Sequence, residues 1–356
     1  MNKDNTFRSH DSNPSLVTSE YESYFKEAGL KQLASVAITE KLDKSVRFIG
    51  APISVMKPIL MEDRIPQSGL FMIQNCIRTA NVSGLLDVET TPEYGSFFTA
   101  MCALTSYDQL GNLFEQTGVY LTDKLGINTE DLYISLDKKD SDLFHASKRF
   151  GDIAVIPNTQ PGPYYDHVYG IESVRGRNTS YWLKNKSSGV FEDVGNIIVI
   201  ENTEGQLGVE LALGDTTLVK QINGLDHVQD SYRINVAGDE APEPIRRKLE
   251  DAVITSLALY REGLRPSAKN NQTRILRSYL KATSLYRRLL GIECDVLKSR
   301  ISNIESGSLP FDANGQGDQI VQWISEYEET IRLKGPSNKE DNAIQRILKD
   351  QVLVKN

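Results

Sequence analysis

The hydrophobic periodicity of this chain changes once, and that change constrains the fold more than any other feature. As far as about residue 235 the apolar residues come in short, strand-length runs broken by proline and glycine. After Pro244 they recur at helical spacing, over 245–262, 273–290, 294–305 and 319–333. The pattern predicts an α+β fold: a largely antiparallel sheet flanked by helices, then an all-helical domain. Gly238 to Pro244, charged and proline-marked, reads as the linker. The expected domains are a disordered lead-in over 1–18, a sheet-bearing domain over 19–237 and a helical domain over 244–350.

Within the first part, Tyr21, Tyr24, Phe25 and Ala28 share one face of an opening helix that Gly29 closes. Phe48-Ile49, Ile59–Met61 and Leu70–Ile73, separated by Pro52, Pro58 and Pro66, read as strands with irregular connections. Helices are expected over 110–125, 141–150 and 216–222, the last capped by Asp215. Strands are expected over 132–136, 195–201 and 208–213, and a loop over 158–170.

At 39% hydrophobic and 25% charged, the composition is that of a soluble globular chain. No apolar run nears the roughly 20 residues needed to span a bilayer, so no membrane partner is expected. The polar first eighteen residues lack a secretory apolar segment, and a cytoplasmic location is the expectation. Three cysteines and four histidines are scattered without ligand spacing, so no metal site is expected.

Two features carry chemistry. Gln74-Asn75-Cys76-Ile77-Arg78 reads as a strand that delivers an arginine, and Phe97-Phe98 begin a second strand after a polar loop. A guanidinium can grip phosphate and an aromatic face can stack on a base, although an arginine and two phenylalanines are equally the parts of a surface ion pair and a core. The second feature is charge: 245–300 holds thirteen Lys/Arg against five acids, in a chain of net charge −8. Such a block suits a local polyanion contact, or a solvated helix face.

In order, several segments resemble the N-terminal part of alanyl-tRNA synthetase, a class II aminoacyl-tRNA synthetase, from about Tyr24 to Leu333. They are Tyr24-Phe25-Lys26 with Gly29, Asp43 to Pro52, Gln74 to Arg78, and Gly95-Ser96-Phe97-Phe98-Thr99-Ala100-Met101. In the helical part they are Glu250 to Val253, Gly263-Leu264-Arg265-Pro266-Ser267, Ile275 to Ser278 and Leu289-Leu290-Gly291. The resemblance implies ATP-dependent activation of a small amino acid as its adenylate, with Mg2+, and transfer to the tRNA acceptor stem or another acceptor. It implies that Arg78 is the catalytic arginine on the α-phosphate. Phe97 would stack on adenine, and Gly214 keeps a glycine of the third ATP-binding motif. Glu210 would hold the substrate ammonium, with Asn196 and Val199 lining the amino-acid pocket. Arg265, Lys269, Arg274, Arg277 and Lys281 would bind tRNA. Relatives of this class often pair, so a homodimer is a further expectation.

The departures are specific. Thr217 stands where that third motif has its arginine, and Thr79-Ala80-Asn81 replaces a Gly-Gly-Lys loop. Losing a charge-stabilising group in such a site costs about 3 kcal/mol in the transition state, unless Lys57, Arg64, Arg175 or Arg177 substitutes. Ala268 follows Pro266-Ser267 where the family has an asparagine that reads the acceptor stem. The family's editing and C-terminal regions have no counterpart in this sequence. Two alternatives therefore stand beside activation for tRNA: a non-catalytic paralogue that binds tRNA or a protein, and a tRNA-independent amino-acid ligase.

Overall fold

Fourteen residues from Pro14 to Glu27 form α1, because Asn13 caps Leu16 N through its side chain (2.9 Å) and Val17, Tyr21 and Phe25 line one buried face. In the computed structural model, which describes residues 12–43, 46–305, 309–311 and 315–354, this helix starts before the expected boundary at residue 19. Residues 1–11 of the expected disordered lead-in lie outside the described residues.

The following elements are β1 (Lys31–Gln32), α2 (Ile53–Met61), β2 (Leu70–Ile77), β3 (Phe97–Thr105), α3 (Leu110–Val119), β4 (Leu132–Leu136) and α4 (Ser141–Ser147). Then come β5 (Ala154–Val155), β6 (Asp166–Val168), β7 (Arg175–Lys184), β8 (Phe191–Asn202), β9 (Gly205–Gly214) and α5 (Asp215–Asn223). The segment Ile59–Met61, expected as strand, is the last turn of α2. Ile53, Met56 and Leu60 fall on one buried helical face there, and Pro58 is tolerated inside the short helix. Asp215 is the first helical residue and not the cap; Gly214 is the cap, and Gly224, left-handed at φ +67°, ends the helix.

The strands form one mixed sheet in the order β1-β2-β3-β9-β8-β7-β4-β5, with β6 beside β7. β1–β2 and β4–β5 run parallel, and β3–β9, β9–β8, β8–β7 and β7–β4 antiparallel. Period-2 alternation splits the sheet's side chains between two cores. Met101, Ala103, Val199, Val209, Leu211 and Tyr181 join the cluster that α1, α3 and α5 help build. Cys102, Leu104, Ile198 and Ile200 pack on the other face against Ile53, Met56 and Leu60 of α2. The first cluster is the larger, and each fully buried aromatic in it adds about 1.5–3 kcal/mol.

The chain divides into two compact units. The first comprises residues 1–36, 42–76 and 98–231; the second comprises 37–41, 77–97 and 232–356. The second unit is helical: α6 (Glu243–Arg261), α7 (Asn271–Leu289), α8 (Cys294–Glu305), α9 (Gln316–Lys334) and α10 (Lys339–Val354). A capping box at Asn270 and Thr273 starts α7. The last helix falls mostly within the helical domain expected over 244–350, where no separate helix is expected beyond residue 333. Among the described residues no helix is long and apolar enough to cross a membrane.

Candidate active site and nucleic-acid interface

In the first unit, register decides which side chains can meet. Glu210 of β9 pairs with Leu104 of β3 and Ile198 of β8, and Ala212 with Cys102 and Asn196. Asn196 pairs in turn with Ser180 of β7. Paired residues share a face, so Glu210 and Asn196 lie together on the face that carries α2. Val199 does not join them. One residue along the strand from Ile198, it pairs with Val209 inside the opposite, helix-covered core, which corrects its expected place in the amino-acid pocket.

Glu210 is 2% exposed. Its Oε2 accepts from the Tyr169 hydroxyl at 2.8 Å, and the Cys102 thiol is 3.8 Å from Oε1. Burial raises its pKa from the ordinary 4.5 to about 7; the two donors and the charge of Lys57 oppose that rise. No cation forms an ion pair with it among the described residues. A buried carboxylate held by neutral donors, with no cation paired to it, is an uncompensated acid. Asn196 turns its amide nitrogen to Ser180 Oγ (3.0 Å) and towards Asp193 Oδ2 (3.5 Å).

Gly214 closes β9 opposite Ala100, and next to it Asp215 is fully buried. Asp215 Oδ1 accepts from Thr99 N (3.0 Å) and Thr216 N (2.6 Å), and burial pushes its pKa to about 7. Of the four cations that could replace the missing arginine, Lys57 and Arg177 are held in largely buried ion pairs, and Arg64 and Arg175 pair while exposed to water. Lys57 bonds Asp43 at 2.5 Å, Arg64 pairs with Glu62, Arg175 with Glu201, and Arg177 with Asp140, Asp142 and Glu201.

The second unit carries Arg78 and Phe97. Arg78 is exposed at the end of β2, and its backbone N–H donates to Ser96 O at 2.9 Å. Ser96 is itself fixed by α6 and α7. Asp251 accepts from Ser96 N and from Ser96 Oγ, both at 2.6 Å, and the Tyr279 hydroxyl donates to Ser96 Oγ at 2.8 Å. The intervening loop is held through its carbonyls: Lys248 Nζ donates to Gly84 O (2.9 Å) and Asp87 O, and the Tyr286 hydroxyl to Leu85 O (2.5 Å). Burial lowers the Lys248 pKa. Phe97 is 2% exposed, its ring 5.0 Å from Phe311 and 6.3 Å from Tyr232. As placed it is a core ring without a free face for a base. The half-buried Phe98 lies on the other face of β3.

The basic block is less of a surface than its charge count suggests. Arg247, Lys248, Lys281 and Arg287 are all buried. Lys281, expected on tRNA, is 2% exposed and bonds Glu340 and Asp341, each at 2.7 Å; α10, unanticipated in sequence, supplies both acids. Lys269 and Arg274 are exposed, and exposed Arg265 lies over the Tyr260 ring at 5.0 Å. Arg277 lines a groove of about 450 Å3 with Pro266, Ser267, Lys334 and the stacked pair Trp323–Tyr327. Four of the five expected cations thus remain accessible around the start of α7.

Tyr169, Cys102, Lys248, Asp251 and Tyr279 did not emerge from the sequence as site residues. Their importance lies in partners 41 to 183 positions away, which no local pattern encodes.

Against known proteins, the chain is similar to alanyl-tRNA synthetases, class II enzymes. It is 21% identical over 323 residues to alanine–tRNA ligase 1 of Lachnoclostridium phytofermentans, covering 77% of this chain and 35% of that one. It is 25% identical over 134 residues to the alanine–tRNA ligase of Thermoanaerobacter sp., covering 36% of this chain and 14% of that one. The chain therefore spans about a third of the length of the first of these relatives. No protein-family profile matches it. Similar solved structures include pyrrolysyl-tRNA synthetase from Desulfitobacterium hafniense, with TM-score 0.40 and 10% identity over 63% of this chain and 75% of that one. Histidyl-tRNA synthetase of S. aureus gives TM-score 0.39 and 7% identity over 59% and 70%.

Proposed function

We propose that this chain binds a small amino acid through its ammonium at Glu210 and activates its carboxyl group with ATP, for transfer to an RNA acceptor stem or another acceptor. The observation that carries the reading is the buried Glu210 carboxylate, held by Tyr169 and Cys102 with no cation paired to it. An arriving ammonium would compensate the acid and favour its ionised form. The substrate carboxylate would then attack the α-phosphate, forming the aminoacyl-adenylate as the bond to the β-phosphate breaks and pyrophosphate leaves, and the exposed Arg78 would meet the charge that grows there. Asp251, Tyr279 and Lys248 act through the hairpin that bears Arg78 and are positioning residues. A magnesium ion accompanying ATP takes much of its coordination from phosphate and water, and among the described residues no group of three acids, histidines or cysteines could hold a metal ion. Arg265, Lys269, Arg274 and Arg277 would contact the phosphates of an acceptor stem.

The test is amino-acid-dependent exchange of pyrophosphate into ATP. Exchange that disappears in Glu210→Gln and in Arg78→Ala supports the reading, and absence of exchange with every proteinogenic amino acid sinks the activation step. A second reading, a non-catalytic paralogue that keeps amino-acid and RNA binding, is favoured by Thr217 together with the buried ion pairs that hold Lys57 and Arg177. Salt-dependent RNA binding without exchange would select it.

A further inference from the structure

Glu210 sits beside apolar Leu104 and Ile198, but the same sheet face turns polar on its β7 side. Along β7 the side chains on this face are Asn178, Ser180 and Trp182, about 6.6 Å apart from one to the next. Asn178 shares the row of Ile198 and Glu210, and Ser180 that of Asn196 and Ala212. Asn178 is 4% exposed, and its Oδ1 has no hydrogen-bond partner. The indole N–H of Trp182 is also buried and unmatched. The Trp182 ring lies parallel to Tyr133 (5.7 Å, 3°), with Tyr164 at 6.4 Å, so this end of the face is walled by aromatic rings.

Asn196 connects the two ends. Its amide nitrogen is directed at Asp193, which when ionised can only accept, so the amide orientation is fixed and Oδ1 remains as its open acceptor. Asp193 has no ion-pair partner among the described residues; Gly195 N (2.9 Å) and the Tyr164 hydroxyl satisfy it in part. The small residues Ala212 and Gly214 leave the neighbouring floor low. Unmatched acceptors and an unmatched donor therefore lie along one face, beginning in the row of Glu210.

We infer that the amino acid held at Glu210 has a side chain ending in a group that both donates and accepts a hydrogen bond, a hydroxyl or a carboxamide, and that Asn196 and Asp193 read it. The inference rests on Glu210 as the ammonium site. An aliphatic side chain would desolvate Asn196 and Asp193 without returning any hydrogen bond, and sites of this kind reject such analogues strongly.

The test is calorimetric binding to the full chain of serine, threonine, asparagine and glutamine, against 2-aminobutyrate, valine, leucine and lysine. At least one of the first four should bind about 100-fold or more tightly than its aliphatic counterpart. Asn196→Leu should close that gap, and Asp193→Asn, a conservative change suited to keeping the fold, should narrow it. Serine and threonine against asparagine and glutamine separates hydroxyl from carboxamide. Valine or leucine binding as tightly as the polar set, or lysine binding best, overturns the inference and leaves Glu210 as the amine site. Unchanged discrimination in both variants overturns the assignment to Asn196 and Asp193. If no amino acid binds and Glu210→Gln behaves as the unaltered chain, the ammonium reading fails and the inference fails with it.

Discussion

The buried ion pairs of the helical unit and the two buried acids of β9 and α5 treat charge in opposite ways. In the helical unit, three buried cations sit against acids: Lys281 against Asp341 and Glu340, Arg287 against Glu328, Arg247 against buried Glu250 and exposed Glu243. On the sheet, Glu210 and Asp215 are buried with hydrogen-bond donors and no cation, and both pKa values stand near 7. A pair that neutralises itself is complete and serves the fold. An acid left without a cation costs stability in the empty protein and retains an unmet affinity, which is what a binding site requires.

Breaking the self-neutralised set should have the largest effect. Lys281→Ala takes the paired cation from Asp341, which is 1% exposed and keeps only the neutral donors of Tyr327, Ser337 and Asn338, and should destabilise the helical unit by about 3 kcal/mol in a urea melt. The double change Lys281→Met with Asp341→Leu should recover most of that loss. If Lys281→Ala is silent, the pair is not a structural neutralisation and the contrast with the two buried acids collapses.

Next comes the reverse experiment. The folded-state pKa of Glu210 lies above its unfolded value, so the folded chain holds this proton more tightly. The corresponding stability is fully present below about pH 4.5 and lost as the pH rises through about 7. The gap is worth about 3 kcal/mol. Glu210→Gln should therefore stabilise the chain by up to about 3 kcal/mol at pH 8 and by little at pH 4, while abolishing amino-acid binding. Urea melts at the two pH values check the sign, and equal effects at both would remove the burial argument.

A smaller effect is expected at Asp251→Asn, which replaces a charged acceptor of two 2.6 Å hydrogen bonds from Ser96. About 1–3 kcal/mol of local stability should go. Amide hydrogen exchange should quicken across 78–96 while β8 and β9 stay protected, and uniform exchange would refute the anchoring role. Smallest of all, Arg274→Gln and Arg277→Gln should change stability by less than about 0.5 kcal/mol. Each should reduce the slope of log K against log salt for RNA binding by up to about one. An unchanged slope in both would move the RNA contact elsewhere.

Much of the architecture was legible in the sequence. Helices α6, α7 and α9 and strand β4 fall within a few residues of their expected bounds, because a long apolar stripe or a clean alternation depends on neighbours three or two positions away. Ile59–Met61 reads as strand in the sequence because the flanking prolines obscure the buried helical face it shares with Ile53 and Met56. The candidate site was legible in part. Glu210, Asn196 and Arg78 are proposed from their order along the chain, and Glu210 and Asn196 share a face. Val199, Phe97 and Lys281 have the right residue types, but strand parity, ring packing and an unanticipated helix put them in the interior.

The sequence by itself determined where the apolar pattern turns from strand to helix, which residues could meet phosphate, ammonium or RNA, and which cations a synthetase-like chain of this kind lacks. Only the tertiary structure decided which of those residues are available. A carboxylate or an ammonium is the same group in any sequence, but its charge is compensated or left unmet by side chains dozens of positions away. Glu210 met Tyr169 and Cys102 and no cation, whereas Lys281 met Asp341. That difference arises from strand register and helix packing, which bring distant residues within hydrogen-bonding distance and set how much water remains around them.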